Sequence, residues 1–191
     1  MNKYLSVLIA VLSLAGCSAV RKYIQDSRTK ATSCTIEQLG LTMRVPAGFD
    51  IVLEKTKQSA DLSTGLIWMI EKKGMEQNHL TKIELLYDRN DEVQFNMEIY
   101  IKDTVTPDLI GNGQNMKLIR DNVLVSGKPA QSIDVVNQYI GTEGEYQLHI
   151  REVIFKKAHH IFRWRFTVNE FDINQLDPVF RRFLKAISLN P

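Results

Sequence analysis

The chain has 191 residues, of which 44% are hydrophobic, and its 24 basic and 22 acidic side chains leave a formal net charge of +2. So even a balance makes no electrostatic case for a nucleic-acid partner. The length suits one domain with a sizeable core.

Residues 1–16, MNKYLSVLIAVLSLAG, open with Lys3 and continue as an apolar run from Tyr4 to Leu14, broken only by Ser6 and Ser13. A bilayer-spanning helix needs about 20 apolar residues, more than this run supplies. A positive start, a short apolar centre and small residues at the exit mark a secretory signal. The exit reads Leu14-Ala15-Gly16-Cys17, followed by Ser18. This resembles the bacterial lipobox, in which a cysteine thiol takes a diacylglycerol and the chain is then cut on its amino side, here between Gly16 and Cys17. Small residues let the peptidase reach the bond, and the thiol is the nucleophile. The resemblance implies a lipoprotein whose Cys17 carries diacylglycerol and palmitate. Ser18, where Asp would retain the product elsewhere, implies the inner leaflet of the outer membrane, facing the periplasm. Each buried methylene adds about 0.8 kcal/mol, so two or three chains anchor stably where one does not.

Residues 17–33 form the lipidated cysteine and a polar tether, helical at most around 20–30, and a single globular domain occupies 34–191. If Cys17 is acylated, Cys34 has no intrachain partner. It reads as a small buried hydrophobe or an intermolecular handle, and the fold does not depend on a disulfide.

Within the domain, Leu41, Met43 and Val45 alternate with polar residues until Pro46, the pattern of a strand with one buried face. Pro46-Ala47-Gly48 is a turn, and Phe49, Ile51 and Leu53 resume the alternation. Gly65 to Ile70 is a strand buried on both sides, residues 74–78 are a loop, and Ile83, Leu85 and Tyr87 alternate again. In 93–101, Val93, Phe95, Met97, Ile99 and Ile101 alternate with polar positions, which predicts a strand. Pro107, Gly111 and Gly113 predict a long loop over 103–122. Leu124-Val125, the turn Ser126-Gly127-Lys128-Pro129, and Ile133 and Val135 give a hairpin. A second hairpin joins 145–155 to 159–168 through Lys156-Lys157-Ala158. Asp177 caps a closing helix with Pro178 at its first position, and Val179, Phe180, Phe183, Leu184 and Ile187 form its apolar stripe. Strands followed by a helix give an α+β fold, an antiparallel sheet of six to eight strands with a packed C-terminal helix.

Several of these pieces resemble the PsbP/DcrB-like superfamily. Val45-Pro46 followed by Gly48-Phe49 is similar to its opening strand and Pro-x-Gly-aromatic turn. Ser126-Gly127-Lys128-Pro129-Ala130 is similar to its central hairpin. Strand 161–168, Phe171, Pro178, Phe180 and Phe183-Leu184-Lys185-Ala186-Ile187-Ser188 are similar to its ending. The resemblance covers about 41–188 and implies an α-β-α sandwich. Its members serve as accessory subunits, chaperones and lipoproteins, so it implies no activity. The helix that the family places before the central hairpin has little support in 103–122.

No catalytic constellation stands out. Gly-x-Ser-x-Gly, Ser-x-x-Lys and His-Glu-x-x-His are absent, Gly111-Asn112-Gly113 lacks the lysine of a phosphate loop, and Asp88, Asp91 and Glu92 lack calcium-loop spacing. His159 and His160 are adjacent, so on a strand they point to opposite faces and cannot easily share a metal. No metal and no cofactor are expected.

The last hairpin offers a contact face. Phe162, Trp164, Phe166 and Val168 share one side of their strand; Tyr146, Leu148 and Ile150 share one side of its partner. Pairing those sets places His149, Arg151, Arg163 and Arg165 together on the other face, where their repulsion would suit an anionic partner. A different register would bring Glu152 opposite Arg163 as an ordinary surface pair. The function expected is a non-enzymatic binding or accessory module of the cell envelope, anchored to the membrane by its lipid and engaging an envelope protein. The alternatives are an envelope hydrolase with a scattered site and an immunity-type inhibitor with a protruding loop at 103–116. Cys17→Ser should abolish labelling by a fatty-acid analogue and move the protein out of the membrane fraction; labelling equal to the parent's would contradict the lipobox.

Overall fold

A computed structural model describes residues 33–55, 64–73, 81–92, 94–111, 114–141, 144–169 and 173–189. The signal segment, the tether with its helical stretch, Gly16, Cys17 and the loop expected at 74–78 lie outside the described residues. Ser33–Pro191 cluster as one compact unit.

Two antiparallel sheets carry the fold. A small one is ordered β1 (Ser33–Ile36), β2 (Leu41–Arg44) and β10 (Ser188–Leu189). The wide one has seven strands: β3 (Phe49–Glu54), β4 (Gly65–Lys72), β5 (Lys82–Arg89), β9 (His160–Asn169), β8 (Gly144–Lys157), β7 (Lys128–Gly141) and β6 (Gln114–Val125), in that spatial order. The hairpin between β6 and β7 turns on Ser126 and Gly127, both at positive φ. Such primed turns match the twist of the strands they join.

Alternate residues of the wide sheet feed two cores. One face carries Val153, Phe155, Phe162, Trp164, Phe166 and Val168 into a cluster with the small sheet and helix α3 (Ile173–Lys185). Phe166 stacks on Phe180 of α3 at 4.7 Å between ring centroids, and Trp68 on Phe183 at 6.1 Å. The other face carries Ile133, Val135, Ile150, Ile154 and Ile161 against a helical layer.

That layer corrects the strand expected at 93–101 and the loop at 103–122. It comprises α1 (Met97–Tyr100), a π turn (Ile101–Val105) and α2 (Thr106–Ile110), followed by β6 from Gln114. The Asn96 carboxamide oxygen caps it, accepting from the N–H groups of Glu98 and Ile99 at 2.9 and 3.3 Å. Its buried stripe is Ile101, Val105 and Leu109, one residue per turn, while Ile99, which the alternation would bury, is 57% exposed. Pro107 has no N–H for the carbonyl four residues back, and the wider turn sits just before it, with Thr106 N–H reaching the Ile101 carbonyl. Residues 103–110 therefore pack on the sheet rather than protrude, which removes the feature that favoured an inhibitor.

The closing helix also begins earlier than its apparent cap. It starts at Ile173, so Pro178 lies inside it and Asp177 is not the cap. Ile173 and Leu176 extend the apolar stripe, and Asp177 serves an ion pair instead. Substitution of Ile101 by alanine should destabilise the protein by about 2–5 kcal/mol and Ile99→Ala by less than about 0.5 kcal/mol in denaturant unfolding; equal losses would fit the strand and contradict the helix.

Candidate functional site

Residues directly opposite in an antiparallel pair share a face. In the β8–β9 pair, Arg151 faces Phe166 and His149 faces Val168, whereas Arg163 faces Ile154 and Arg165 faces Glu152. The four-residue basic face is thus split: His149 and Arg151 lie on the α3 side, Arg163 and Arg165 on the side of the helical layer. The inference failed because both faces of this sheet are buried. With apolar residues on both sides of β8 and β9, matching one apolar set to another does not fix the register.

The ordinary surface pair is not what replaces it. Glu152 has no solvent exposure and Arg163 is 6% exposed. Arg163 Nε donates to Glu152 Oε1, and Arg165 Nε donates to Oε2 at 2.7 Å. The other ends of both guanidinium groups, Nη2 of each, meet Asp108 Oδ2 of α2 at 2.6 and 2.5 Å. Two arginines are therefore sandwiched between a carboxylate in the sheet and one in the helical layer. Burial pushes the Asp108 carboxyl up, but Arg165 and Arg163 outweigh it and hold it below its usual value. Tyr100 completes the layer's polar seam by donating to Asp88 Oδ2 at 3.2 Å. Burial first, then Asp88, raises its phenol to about 12. This seam joins two layers, with Glu152 and Arg163 buried and Asp108 at its exposed margin.

The α3 side is open at one end. Strands β6, β7 and β8 and the first residue of α3 border a cleft of about 260 Å³. Its floor and walls include Lys117 and Ile119 of β6, Asp134 and Val136 of β7, His149 and Arg151 of β8, Phe166 of β9 and Ile173 of α3. Arg151 is the fixed point. Its Nε donates to Asp134 Oδ1 at 2.5 Å and its Nη1 to Asp177 Oδ1. Asp177 Oδ2 in turn accepts from Arg181 Nε at 2.6 Å. Burial opposes the Arg151 charge, and Asp134 and Asp177 more than restore it. Burial likewise pushes Asp177 up, but Arg181 and Arg151 hold it below the usual carboxylate value. Only two of the five N–H donors of the guanidinium are used in these bonds. A polar floor held rigid beside apolar walls can orient a ligand bearing an acidic group, with Lys117 exposed at the rim.

Lys117, Asp134 and Asp177 were missed in the sequence. Only the spacing of Asp134 opposite Arg151 across β7 and β8 could have flagged one of them. The histidine pair falls at the β8–β9 turn: His160 Nδ1 lies 2.9 Å from the Tyr87 hydroxyl, and His159 is exposed 3.5 Å from Asp91. Cys34 is buried, its thiol 3.4 Å from Glu54 Oε1. Among the described residues no three His, Cys, Asp or Glu side chains gather as a metal site.

No family model matches the chain, and no curated protein matches it. Solved structures do. The fold is similar to that of cyanobacterial PsbP (CyanoP) from Synechocystis sp. PCC 6803, with a TM-score of 0.59 at 10% identity over 83% of this chain and 92% of that one. It is also similar to LpqN, involved in cell envelope biogenesis of Mycobacterium tuberculosis, with a TM-score of 0.54 at 8% identity over 79% and 83% of the two chains. At these identities the likeness shows the fold alone, an α+β fold of the PsbP-like kind.

Proposed function

We propose that this chain is a lipid-anchored protein of the cell envelope that acts as a non-enzymatic binding module, with the cleft beside α3 as its contact site. The observation that carries the reading is the polar floor around Arg151, held by two ion pairs and open to the cleft. A catalytic site needs a group free to react or to exchange a proton. Here the central charge is held in place by two carboxylates. Asp134 and Asp177 balance Arg151 and Arg181, which leaves Lys117 as the surplus cation of the lining, so the occupant is an envelope component presenting a carboxylate or phosphate. Anchoring through Cys17 and a position on the periplasmic face of the outer membrane rest on the lipobox and on Ser18. The LpqN likeness, to a protein of cell envelope biogenesis, agrees with an envelope role.

A photo-crosslinking residue at Val136, in the cleft, should capture a discrete component in isolated envelopes, and the yield of adduct should fall when irradiation is done at high salt, because exposed charges are screened beyond about 8–10 Å. The same residue at Lys102, exposed on the helical layer, should capture nothing specific. Matching adducts at both positions, or adducts that ignore salt, would contradict the reading.

A further inference from the structure

The wide sheet ends on two edges of unlike character. One edge, β3, has six residues and shifts register between Ile51 and Leu53. The other, β6, has twelve, and from Lys117 to Val125 it pairs with β7 without interruption. Strands average about five to six residues, and exposed edges are ordinarily kept short, bulged or covered, because their unpaired N–H and C=O groups invite another strand. Leu118, Ile119 and Leu124 are exposed along this edge, and Lys117 and Asp121 make no ion pair with another described residue.

We propose that the chain self-associates through β6, a second copy adding its own β6 antiparallel about a two-fold axis at Ile119. The symmetry restricts the choice. A two-fold axis normal to the sheet keeps every side chain on its own face, and opposed residues share a face, so the axis must pass through a residue and not between two. Centred on Arg120 or Asp121, it would set like charges directly opposite each other, which is unfavourable. Centred on Asn122, it would set Arg120 opposite Leu124 and Asp121 opposite Val123 and form no charge pair, whereas an axis at Ile119 has one such mismatch, Leu118 opposite Arg120, and forms two charge pairs. Centred on Ile119, it sets Lys117 opposite Asp121 of the second copy and Asp121 opposite its Lys117, with the two Ile119 side chains meeting between them. The segment Lys117-x-Ile119-x-Asp121 is thus complementary to itself in charge and shape on one face of the sheet. The occupant is therefore a second copy of this chain. Lys117 and Ile119 also line the rim of the cleft, so the dimer would engage that rim, but self-association follows from the β6 edge and is tested separately, by a contact at Ile119 and not by a crosslink at Val136.

The test uses the full-length chain in detergent. With Ile119→Cys, opposed Cα atoms about 4.5–5.5 Å apart lie within disulfide range. Mild oxidation should yield a product of twice the chain mass, well above the level given by the parent's own cysteines. Leu124→Cys is the register control: it would lie opposite Gln114 of the second copy and should stay at the parent's level. In the Ile119→Cys chain, Lys117→Asp or Asp121→Lys alone should lower the yield about tenfold by opposing like charges, and the two together should restore it. Parent-level crosslinking at 119, a product of any other mass, equal crosslinking at 124, or no restoration by the charge exchange would each overturn the proposal.

Discussion

Glu152 is fully buried in the middle of the wide sheet, and the rest of the architecture is arranged around that carboxylate. Leaving a buried charge without its partners is strongly destabilising, by about 3–5 kcal/mol. Arg163 and Arg165 of β9 meet both of its oxygens. A one-residue slip between β8 and β9 would turn Glu152 to the other face, among Trp164 and Phe166, so the ion pairs fix a register that the apolar pattern leaves open. Asp108 then carries the same pair of arginines to α2. The helical layer is thereby held at one position over the sheet, with Ile101, Val105 and Leu109 pressed on Ile133, Val135 and Ile150.

A third arginine works the same way on the opposite face. Arg151 links Asp134 of β7 to Asp177 of α3, so it pins the helix at the margin of the sheet's cover. The cleft opens beside these ion pairs, where Ile173 of α3 meets β6, β7 and β8. The arrangement makes the α3 face part core and part surface: Trp164 and Phe166 are buried, while Lys117 and Ile119 farther along the same face are exposed. A structure locked by ion pairs at its layer contacts can present such a face without repacking.

Much of the fold was legible in the sequence and the site was not, for one physical reason. Alternating apolar residues mark a buried strand face, and Leu41, Met43, Ile83 and Leu85 were placed correctly on that basis. The Ser126-Gly127 turn and the β8–β9 hairpin also followed from local chemistry. The segment from Phe95 to Ile101 misled because its four alternating apolar residues run into the first turns of a helical layer whose buried stripe lies mostly beyond them, at Val105 and Leu109. Asp177-Pro178 looked like a helix start because capping chemistry is local, whereas the helix is held by Ile173 and Leu176 one turn earlier. The pairing of Arg163 and Arg165 with Glu152 and Asp108 joins residues far apart in sequence, and nothing local marks it.

The claim that ion pairs between layers hold this fold in register is tested most directly by a double-mutant cycle on Asp108 and Arg165, measured across pH. Asp108→Asn and Arg165→Gln each leave Glu152 with Arg163. The Asp108 carboxyl is held below its usual value, so its contribution is present above the ordinary carboxylate pKa, about 3.9, and fades as pH falls through the folded value. The account predicts a coupling energy of about 1 kcal/mol at pH 7, tempered by the partial exposure of Asp108 and declining below about pH 4. A coupling indistinguishable from zero at pH 7, or one unchanged down to pH 2, would contradict it.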